Sequence, residues 1–167
     1  ATLCALAETG VPVTYHAVDV RDADALARTI TDVYQRYGRI DGVIHAAGIL
    51  EDKFIRDKSR ESFQRVFATK VASAMTLSRA LRPDVRFVVC FGSIAGVFGN
   101  RGQVDYAAAN AALGAFARWL DRRIDGRAVC IHWGPWAGAG MVSKELEREY
   151  HRRGIGLIDA EDGVACL

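Results

Sequence analysis

A serine, a tyrosine and an asparagine lie close together between residues 91 and 110. Ser93 follows an apolar run that is typical of a strand, and Tyr106 and Asn110 lie one helical turn apart in an alanine-rich stretch. A serine at the carboxyl end of a strand can face such a helix across the crevice where open α/β sheets bind ligands. These residue types predict a proton-donating site for the reduction of a carbonyl group.

The segments that must hold these residues alternate between short apolar runs and long amphipathic stretches. Four runs are expected to be strands: residues 11–18, 40–46, 86–91 and 127–133. Helical spacing of apolar residues predicts helices at 23–37, 59–81, 103–124 and 143–153, after the tail of a helix within 1–10. Strands that alternate with helices indicate parallel βαβ units, and strands that are apolar throughout indicate a sheet covered on both faces. The predicted fold class is α/β.

Composition places the chain among ordinary globular proteins. Its 167 residues suit one domain, half of them are hydrophobic, and a quarter are charged. The formal net charge of +2 is too small to indicate nucleic-acid or membrane partners. Arginine supplies 18 of the 22 basic residues, but these are scattered, and the doublets at 122–123 and 152–153 are interpreted as solvated helix faces.

Cysteine usage and the absence of targeting signals indicate a reducing compartment. The four cysteines are far apart and have no C-x-x-C spacing: Cys4, Cys90, Cys130 and Cys166. Cys90 and Cys130 lie within apolar runs, which favours buried free thiols over disulfides or a zinc site. His45 and His132 lack partners at metal-ligand spacing, so they are interpreted as structural and no metal is expected. Neither a signal peptide nor a transmembrane segment is visible, and a cytoplasmic protein is expected.

Five motifs occur along the chain. They are D-V-R-D (19–22), H-A-A-G-I-L-E-D (45–52), A-T-K-V (68–71), F-G-S-I-A-G-V-F-G-N-R-G-Q-V-D-Y-A-A-A-N (91–110) and H-W-G-P-W-A-G-A-G-M (132–141). In order and spacing they resemble the catalytic, C-terminal portion of a ketoreductase domain from a type I polyketide synthase, within the short-chain dehydrogenase/reductase superfamily. The run at 99–106 and the segment at 152–158 look most similar to reductases of polyunsaturated-fatty-acid synthases. The resemblance implies a Rossmann-like, doubly wound parallel sheet in a single domain over residues 1–167.

The resemblance assigns catalytic roles to Lys70, Ser93, Tyr106 and Asn110. The serine precedes the tyrosine by 13 residues, as in the family, and Y-A-A-A-N has asparagine where ordinary short-chain dehydrogenases have lysine. Polyketide ketoreductases place that lysine upstream, which matches Lys70 in A-T-K-V. By this resemblance Tyr106 donates a proton to the ketone oxygen and Ser93 donates a hydrogen bond to it. Asn110 orients Lys70 or a proton-relay water.

Lys70 is expected to make Tyr106 a better acid. A tyrosine hydroxyl has an ordinary pKa of about 10 and is a poor acid at neutral pH. A nearby ammonium favours the phenolate and lowers that pKa. Each residue taken alone has a structural alternative: Ser93 as the cap of a turn, Tyr106 as an ordinary helix residue, Lys70 as a solvated cation, and Asn110 as a helix-surface amide. The joint match favours catalysis.

NADPH is the cofactor that the resemblance implies. Besides Lys70, which binds the nicotinamide ribose in the family, and Tyr106, the candidate contacts are Asp19, Val20, Ala46, Ala47, Gly48, Pro135 and Trp136. The first two would lie near the adenine, the small residues 46–48 would let the backbone pass close to the cofactor, and the loop at 135–136 would face the nicotinamide carboxamide. Asp19 as a helix cap and Gly48 as a turn glycine are the structural alternatives.

Finer motifs describe the substrate side. The candidate residues are Leu50, Glu51, Asp52, Phe98, Gln103 and Met141. B-type ketoreductases, which give the D-configured hydroxyl, carry L-D-D where this chain has L-E-D at 50–52, and A-type domains have tryptophan at the position of Phe98. A B-type domain is therefore expected, although Arg101 and Asp105 stand where such domains often have proline and asparagine. Residues 138–157 are expected to form a lid.

One motif is absent from the sequence. A dinucleotide-binding domain opens with a strand and a G-x-G-x-x-G type loop, and none occurs near residue 1. In the family the sheet has the order 3-2-1-4-5-6-7, and only strands 3 to 6 have counterparts here. Strands 1, 2 and 7 are therefore expected to be missing. The chain is predicted to be a fragment of a longer polypeptide that folds poorly alone and does not bind NADPH tightly.

The leading functional prediction is an NADPH-dependent β-ketoacyl reductase. Its substrate would be tethered through phosphopantetheine to an acyl carrier protein, and other synthase domains would lie beside it. A free-standing short-chain dehydrogenase acting on a soluble ketone or alcohol is the first alternative, and the Lys70/Asn110 exchange and W-G-P-W loop argue against it. A non-catalytic scaffolding half-domain is the second, but such domains lose the catalytic residues that this chain keeps.

Overall fold

Three parallel strands form the sheet. The computed structural model describes residues 2–138, 144–152 and 154–167. The strands are β1 (Gly42–His45), β2 (Phe87–Ser93) and β3 (Arg127–Trp133), in the order β1-β2-β3. The register places His45 beside Cys90 and Ser93 beside Trp133. The carboxyl ends of the strands therefore meet at one edge of the sheet, which is the usual ligand-binding edge of a parallel α/β fold.

Helices connect and flank the strands. They are α1 (Thr2–Glu8), α2 (Ala23–Tyr37), α3 (Arg60–Phe67), α4 (Ser73–Ala80), α5 (Ala95–Phe98), α6 (Val104–Leu120), α7 (Lys144–Arg152) and α8 (Ala160–Ala165). A π turn, Ala68–Ala72, joins α3 to α4, and a 3-10 turn, Ile55–Asp57, precedes α3. Among the described residues, no helix is both long and apolar enough to cross a bilayer.

Capping side chains explain where the predicted helices begin. Asp22 Oδ1 accepts a hydrogen bond from Ala25 N at 2.9 Å at the start of α2. Ser59 does the same for α3, where its hydroxyl accepts from Ser62 N at 3.1 Å. The helix expected over 59–81 is therefore confirmed near its ends, but the π turn interrupts it in the middle.

The core lies between α6 and the sheet. Leu113 of α6 and Val88 and Cys90 of β2 are almost completely buried in one cluster, together with Ala128 of β3. All four cysteines are free, and burial raises the pKa of the Cys90 thiol to about 12. The thiol is therefore uncharged and packs as a small apolar group, as the sequence indicates. Cys130 is half-buried, so its expected burial is only partial.

The opposite face of the sheet is more open in the described part of the chain. Ile44, Phe87 and Val129 keep 57%, 44% and 39% of their surface exposed. Residues on β2 alternate between buried and less buried positions, which is the pattern of a sheet covered on one face. The parallel α/β class is confirmed, while the expected cover on the second face is not formed by the described residues.

The prediction of a strand over residues 11–18 is wrong. The segment pairs with no strand among the described residues, and Val11, Val13 and Tyr15 are 63%, 46% and 69% exposed. A strand exists only through hydrogen bonds to a neighbour, and β-favouring residue types alone do not provide one. Two short helices, α5 and α8, form where the sequence predicts irregular structure.

Candidate active site

Lys70 lies in the π turn, and its ammonium is buried. The residue is 4% exposed, and Nζ donates a hydrogen bond to the carbonyl oxygen of Phe91 at 2.7 Å. The same nitrogen lies 5.7 Å from the centre of the Tyr106 ring. Single π turns within α-helices are frequent at functional sites. Here the turn holds the lysine against the carboxyl half of β2, so the alternative of a solvated cation is wrong.

His45, the last residue of β1, braces the turn that carries Lys70. Its Nε2 lies 2.9 Å from the Lys70 carbonyl oxygen and 3.2 Å from Ser73 Oγ. Since a carbonyl oxygen only accepts, Nε2 carries the proton in this contact. Burial lowers the pKa of His45, although the hydrogen bond to Lys70 opposes that change. The histidine therefore has a structural position, and the structure it supports is the lysine turn.

Asn110 faces the backbone of Tyr106 one helical turn earlier. Its Nδ2 donates to the Tyr106 carbonyl oxygen at 2.7 Å, and the side chain is completely buried. The alternative of a helix-surface amide is therefore wrong. Asn110 Oδ1 is buried and has no hydrogen-bond partner among the described residues. It is a free acceptor next to the tyrosine, which suits the orientation of a second polar group.

Ser93 ends β2 and also caps the next turn. Its Oγ accepts a hydrogen bond from Ala95 N at 3.2 Å. A hydroxyl that accepts in this way still has its own proton to donate. The capping role that the sequence allows and the catalytic role that the resemblance implies are therefore compatible in one side chain.

The pKa of Tyr106 is shifted in the direction opposite to the one expected. Burial raises it, hydrogen bonding with Ser93 and Asn110 only partly offsets that rise, and the Asp52 carboxylate adds to it. Burial also lowers the pKa of Lys70. The net shift of the Tyr106 pKa is therefore upward, and the expected net lowering is wrong because burial is the largest cause. The Lys70 ammonium itself donates to the Phe91 carbonyl oxygen and lies beside the tyrosine ring.

The segment at 50–52 is tied to its surroundings by two side chains. Asp52 Oδ2 accepts from Gln103 Nε2 at 2.8 Å, just before α6 begins. Glu51 forms a bidentate pair with Arg65 of α3, at 2.8 and 2.7 Å. Hydrogen bonding from Arg65 lowers the pKa of Glu51 to about 2. The glutamate that replaces the middle aspartate of L-D-D is thus directed to α3, while Asp52 lies toward the start of α6.

A second, buried ion pair was not predicted from the sequence. Lys58 Nζ lies 2.7 Å from Asp105 Oδ2, and both side chains are almost fully buried. Asp105 directly precedes Tyr106. The only sequence feature that indicated this ion pair is the aspartate at position 105, where B-type domains often have asparagine. Nothing in the sequence indicates Lys58 as the partner of Asp105.

The candidate cofactor contacts follow the carboxyl ends of the strands. Ala46, Ala47 and Gly48 come directly after β1, and Pro135 and Trp136 come two residues after β3. The indole of Trp136 packs edge-on against Trp133 with the ring centres 4.8 Å apart. These two groups of residues therefore lie along the same edge of the sheet as Lys70 and Ser93.

Asp19 and Val20 lie in the loop before α2. Arg21 Nη2 lies 2.6 Å from Asp19 Oδ2 in an exposed ion pair, and hydrogen bonding from Arg21 lowers the pKa of Asp19 to about 2. Asp22, not Asp19, caps α2. The helix-capping alternative for Asp19 is therefore wrong, and its carboxylate is in the exposed, charged state.

The residues present fit the ribose and nicotinamide end of a nicotinamide cofactor. Lys70 uses one N–H on Phe91 and keeps two donors, and Asn110 Oδ1 is an unpaired acceptor. Residues 46–48 are small, so the backbone beside β1 is open to close approach. Among the described residues, no group of three or more His, Cys, Asp or Glu is arranged to hold a metal ion.

The remaining substrate-side candidates differ in how far they are buried. Leu50 is half-buried, and Phe98, at the end of α5, is 83% exposed. Gln103 is 7% exposed and connects Asp52 to Asn100. Met141 and the part of the expected lid at 139–143 and 153 fall outside the described residues. The described part of that lid contains α7.

The family model for the KR domain matches residues 1–138. The chain is 34% identical, over 98% of its length, to a polyunsaturated fatty acid synthase protein of Thraustochytrium sp.. It is 32% identical, over 95% of its length, to the polyketide synthase PksN of Bacillus subtilis. The chain spans only 6% and 3% of the lengths of these two proteins.

Solved structures of similar proteins superpose on nearly the whole chain. A ketoreductase from the first module of phoslactomycin biosynthesis in Streptomyces sp. HK803 matches with a TM-score of 0.91 and 36% identity. That match covers 98% of this chain and 37% of the other. A short-chain dehydrogenase from Streptomyces avermitilis matches with a TM-score of 0.81 over 98% of this chain and 68% of the other, at 21% identity, and so shares the fold.

Proposed function

The chain belongs to the KR domain family, and we propose that it catalyses the NADPH-dependent reduction of a β-ketoacyl thioester to the β-hydroxyacyl thioester. The observation that carries the proposal is the buried Lys70 ammonium, 5.7 Å from the Tyr106 ring centre and hydrogen-bonded to the strand that ends in Ser93. A cation held beside a tyrosine and a serine suits the protonation of a carbonyl oxygen on which charge develops.

Each catalytic side chain has a distinct task in this reaction. Bound NADPH would supply the hydride that the ketone carbon accepts. Tyr106 gives its hydroxyl proton to the ketone oxygen, while Ser93 donates a hydrogen bond to the same oxygen. Lys70 stabilises the phenolate that remains on Tyr106, and its free N–H groups bind the nicotinamide ribose. Asn110 Oδ1 orients the water that returns a proton to the tyrosine.

The remaining cofactor contacts would be distributed along the carboxyl edge of the sheet. Asp19 and Val20 would lie at the adenine, residues 46–48 along the cofactor, and residues 135–136 at the carboxamide. The raised pKa of Tyr106 keeps the phenol protonated at neutral pH, so the acid is in its active form before each turnover.

The proposed substrate is held by phosphopantetheine on an acyl carrier protein, with other synthase domains alongside. Support comes from the relatives, which are polyunsaturated fatty acid and polyketide synthase proteins many times longer than this chain. A B-type, D-configured product is proposed because Asp52 matches the last residue of L-D-D and hydrogen-bonds to Gln103 beside α6.

The test uses the full-length protein that carries this chain. A β-ketoacyl group is presented on the carrier and, separately, as a small diffusible thioester, with NADPH or NADH as reductant. We expect faster reduction on the carrier, preference for NADPH, and a D-configured alcohol. Equal rates on both substrates would contradict the proposal of a carrier-bound substrate, and preference for NADH would contradict the choice of NADPH. An L-configured alcohol would contradict the B-type assignment.

A further inference from the structure

We propose that the buried ion pair of Lys58 and Asp105 positions Tyr106 for proton donation. The pair, with the Glu51 carbonyl oxygen to which Lys58 also donates, is named here the Lys58 bridge. It connects the first turn of α6 to the segment at 50–58. Neither side chain is placed on the reacting atoms, so the role is positional, and it rests on the proposed ketoreductase function.

Burial makes the Lys58 bridge a specific connection. The Lys58 and Asp105 side chains are 4% and 0% exposed, and Nζ lies 2.7 Å from Oδ2. Each charge would be costly to bury alone, so each requires the other. Replacing a buried ion pair by apolar residues is often neutral or stabilising. Its presence directly before the proton donor is therefore better explained by geometry than by stability.

Asp105 holds the backbone amide of Tyr106 in place. Its Oδ1 accepts a hydrogen bond from Tyr106 N at 2.9 Å. The N-cap residue, Gln103, makes no capping bond, because its amide is used by Asp52 and Asn100. The Asp105 carboxylate thus provides both the acceptor and the negative charge that the start of a helix favours.

Lys58 connects Asp105 to the segment at 50–52 on the substrate side of the site. It donates to the carbonyl oxygen of Glu51, whose own carboxylate is held by Arg65. A backbone hydrogen bond from Lys53 N to Gly102 O, at 2.9 Å, also connects the segment at 50–58 to the residues just before α6. The start of α6 and the segment at 50–52 are therefore coupled, so a change in the bridge is expected to alter both the rate and the facial selectivity of reduction.

The test is the double variant Lys58→Met/Asp105→Asn in the full-length protein. It removes both charges but keeps an acceptor for Tyr106 N. Because no buried charge is left unpaired, the temperature of inactivation is expected to stay near that of the wild type. We expect kcat to fall about tenfold with KM changed less than twofold, because small displacements of a catalytic group are costly. The proportion of the minor enantiomer and amide exchange across residues 104–106 should both rise.

A more exposed ion pair between the end of α6 and the start of β3 provides a control. Asp121, directly after α6, also accepts from a backbone amide, Ala128 N at 2.8 Å, and pairs with Arg127 of β3 at 3.1 Å. Arg127→Met/Asp121→Asn should leave kcat and the product ratio unchanged.

The outcomes separate the two claims. A wild-type protein that reduces no ketoacyl thioester contradicts the proposed function itself. An active wild type with an unchanged kcat and product ratio in the Lys58→Met/Asp105→Asn variant contradicts the positioning role alone. If that variant does not fold, Asp105→Glu replaces it. This change keeps both charges and lengthens one side chain in a fully buried position, so unchanged kcat and product ratio there would equally overturn the inference.

Discussion

The Lys70 ammonium lies 2.7 Å from the carbonyl oxygen of Phe91, so the π turn and β2 are joined by a partly buried hydrogen bond two residues before Ser93. The bond fixes the distance between the helix that carries the lysine and the strand that ends in the serine. It also leaves the ammonium beside the Tyr106 ring. The bond therefore connects the elements that carry Lys70 and Ser93 and keeps the lysine beside Tyr106, and these are three of the four catalytic candidates.

Replacement of Lys70 is expected to affect catalysis more than folding. Lys70→Met removes the cation but keeps an unbranched chain of similar length, so the core stays filled. We expect kcat to fall by at least about 100-fold, within the range typical of general acid–base groups. Steady-state kinetics of the full-length protein would measure it. Lys53→Met, at an exposed lysine, is the matched control and should change kcat little. Equal kcat values for both variants would contradict the role of Lys70.

His45 is expected to produce an acidic limb in the pH profile. Its folded-state pKa is lowered from 6.5, so the unfolded or opened site binds more protons just below that value. Stability of the lysine turn should therefore decrease as pH falls below 6.5 and be retained above it. His45→Gln keeps a donor for the Lys70 carbonyl oxygen but does not titrate. The loss of kcat/KM between pH 6.5 and 5 should be present in the wild type and weaker in the variant; identical profiles would show that another group titrates.

Asp52 is expected to control which face of the ketone is reduced. Asp52→Ala removes the acceptor for Gln103 Nε2, and the connection between residues 50–52 and the start of α6 is then weakened. The product should change from almost pure D-alcohol to a mixture, as measured by chiral chromatography. Asp57→Ala, at an exposed aspartate of the same segment, is the control. An unchanged enantiomer ratio in Asp52→Ala would exclude this residue from stereocontrol.

Gly126 is expected to be intolerant of any side chain. A Cβ atom there would lie 2.0 Å from Arg86 O and 2.6 Å from Val85 O, and these backbone atoms belong to the segment leading into β2. Gly126→Ala should cost about 3 kcal/mol or more, at the upper end of overpacking effects. Gly156, with no atom within 4 Å of a built Cβ, is the control. Thermal inactivation of ketone reduction would compare them, and equal midpoints would contradict the packing at Gly126.

The sequence predicts those parts of the fold that depend on local pattern. The apolar runs at 40–46, 86–91 and 127–133 become β1, β2 and β3, because a buried parallel strand needs little more than apolar residues between breaks in the chain. Residues 11–18 are also rich in β-favouring residue types but have no neighbouring strand among the described residues, so the pattern fails there. The need for a partner is a tertiary condition that a local pattern does not contain.

The candidate site, too, is predicted from the sequence only where it depends on local pattern. Residue types and spacing point to Ser93, Tyr106 and Asn110, and the structure places Asn110 against the Tyr106 backbone. The π turn that contains Lys70 leaves no visible break in the helical spacing of apolar residues. The sequence therefore predicts a continuous helix. The contact between Lys58 and Asp105 joins residues 47 positions apart, and no periodicity connects them.

The direct test of the account is the rate of ketone reduction by Tyr106→Phe. The change removes only the hydroxyl, so the half-buried ring and its contact with Lys70 are kept. Under single-turnover conditions with saturating NADPH and carrier-bound β-ketoacyl substrate, the full-length variant should reduce the ketone at least about 1,000-fold more slowly than the wild type. Reduction at the wild-type rate would contradict the assignment of Tyr106 as the proton donor.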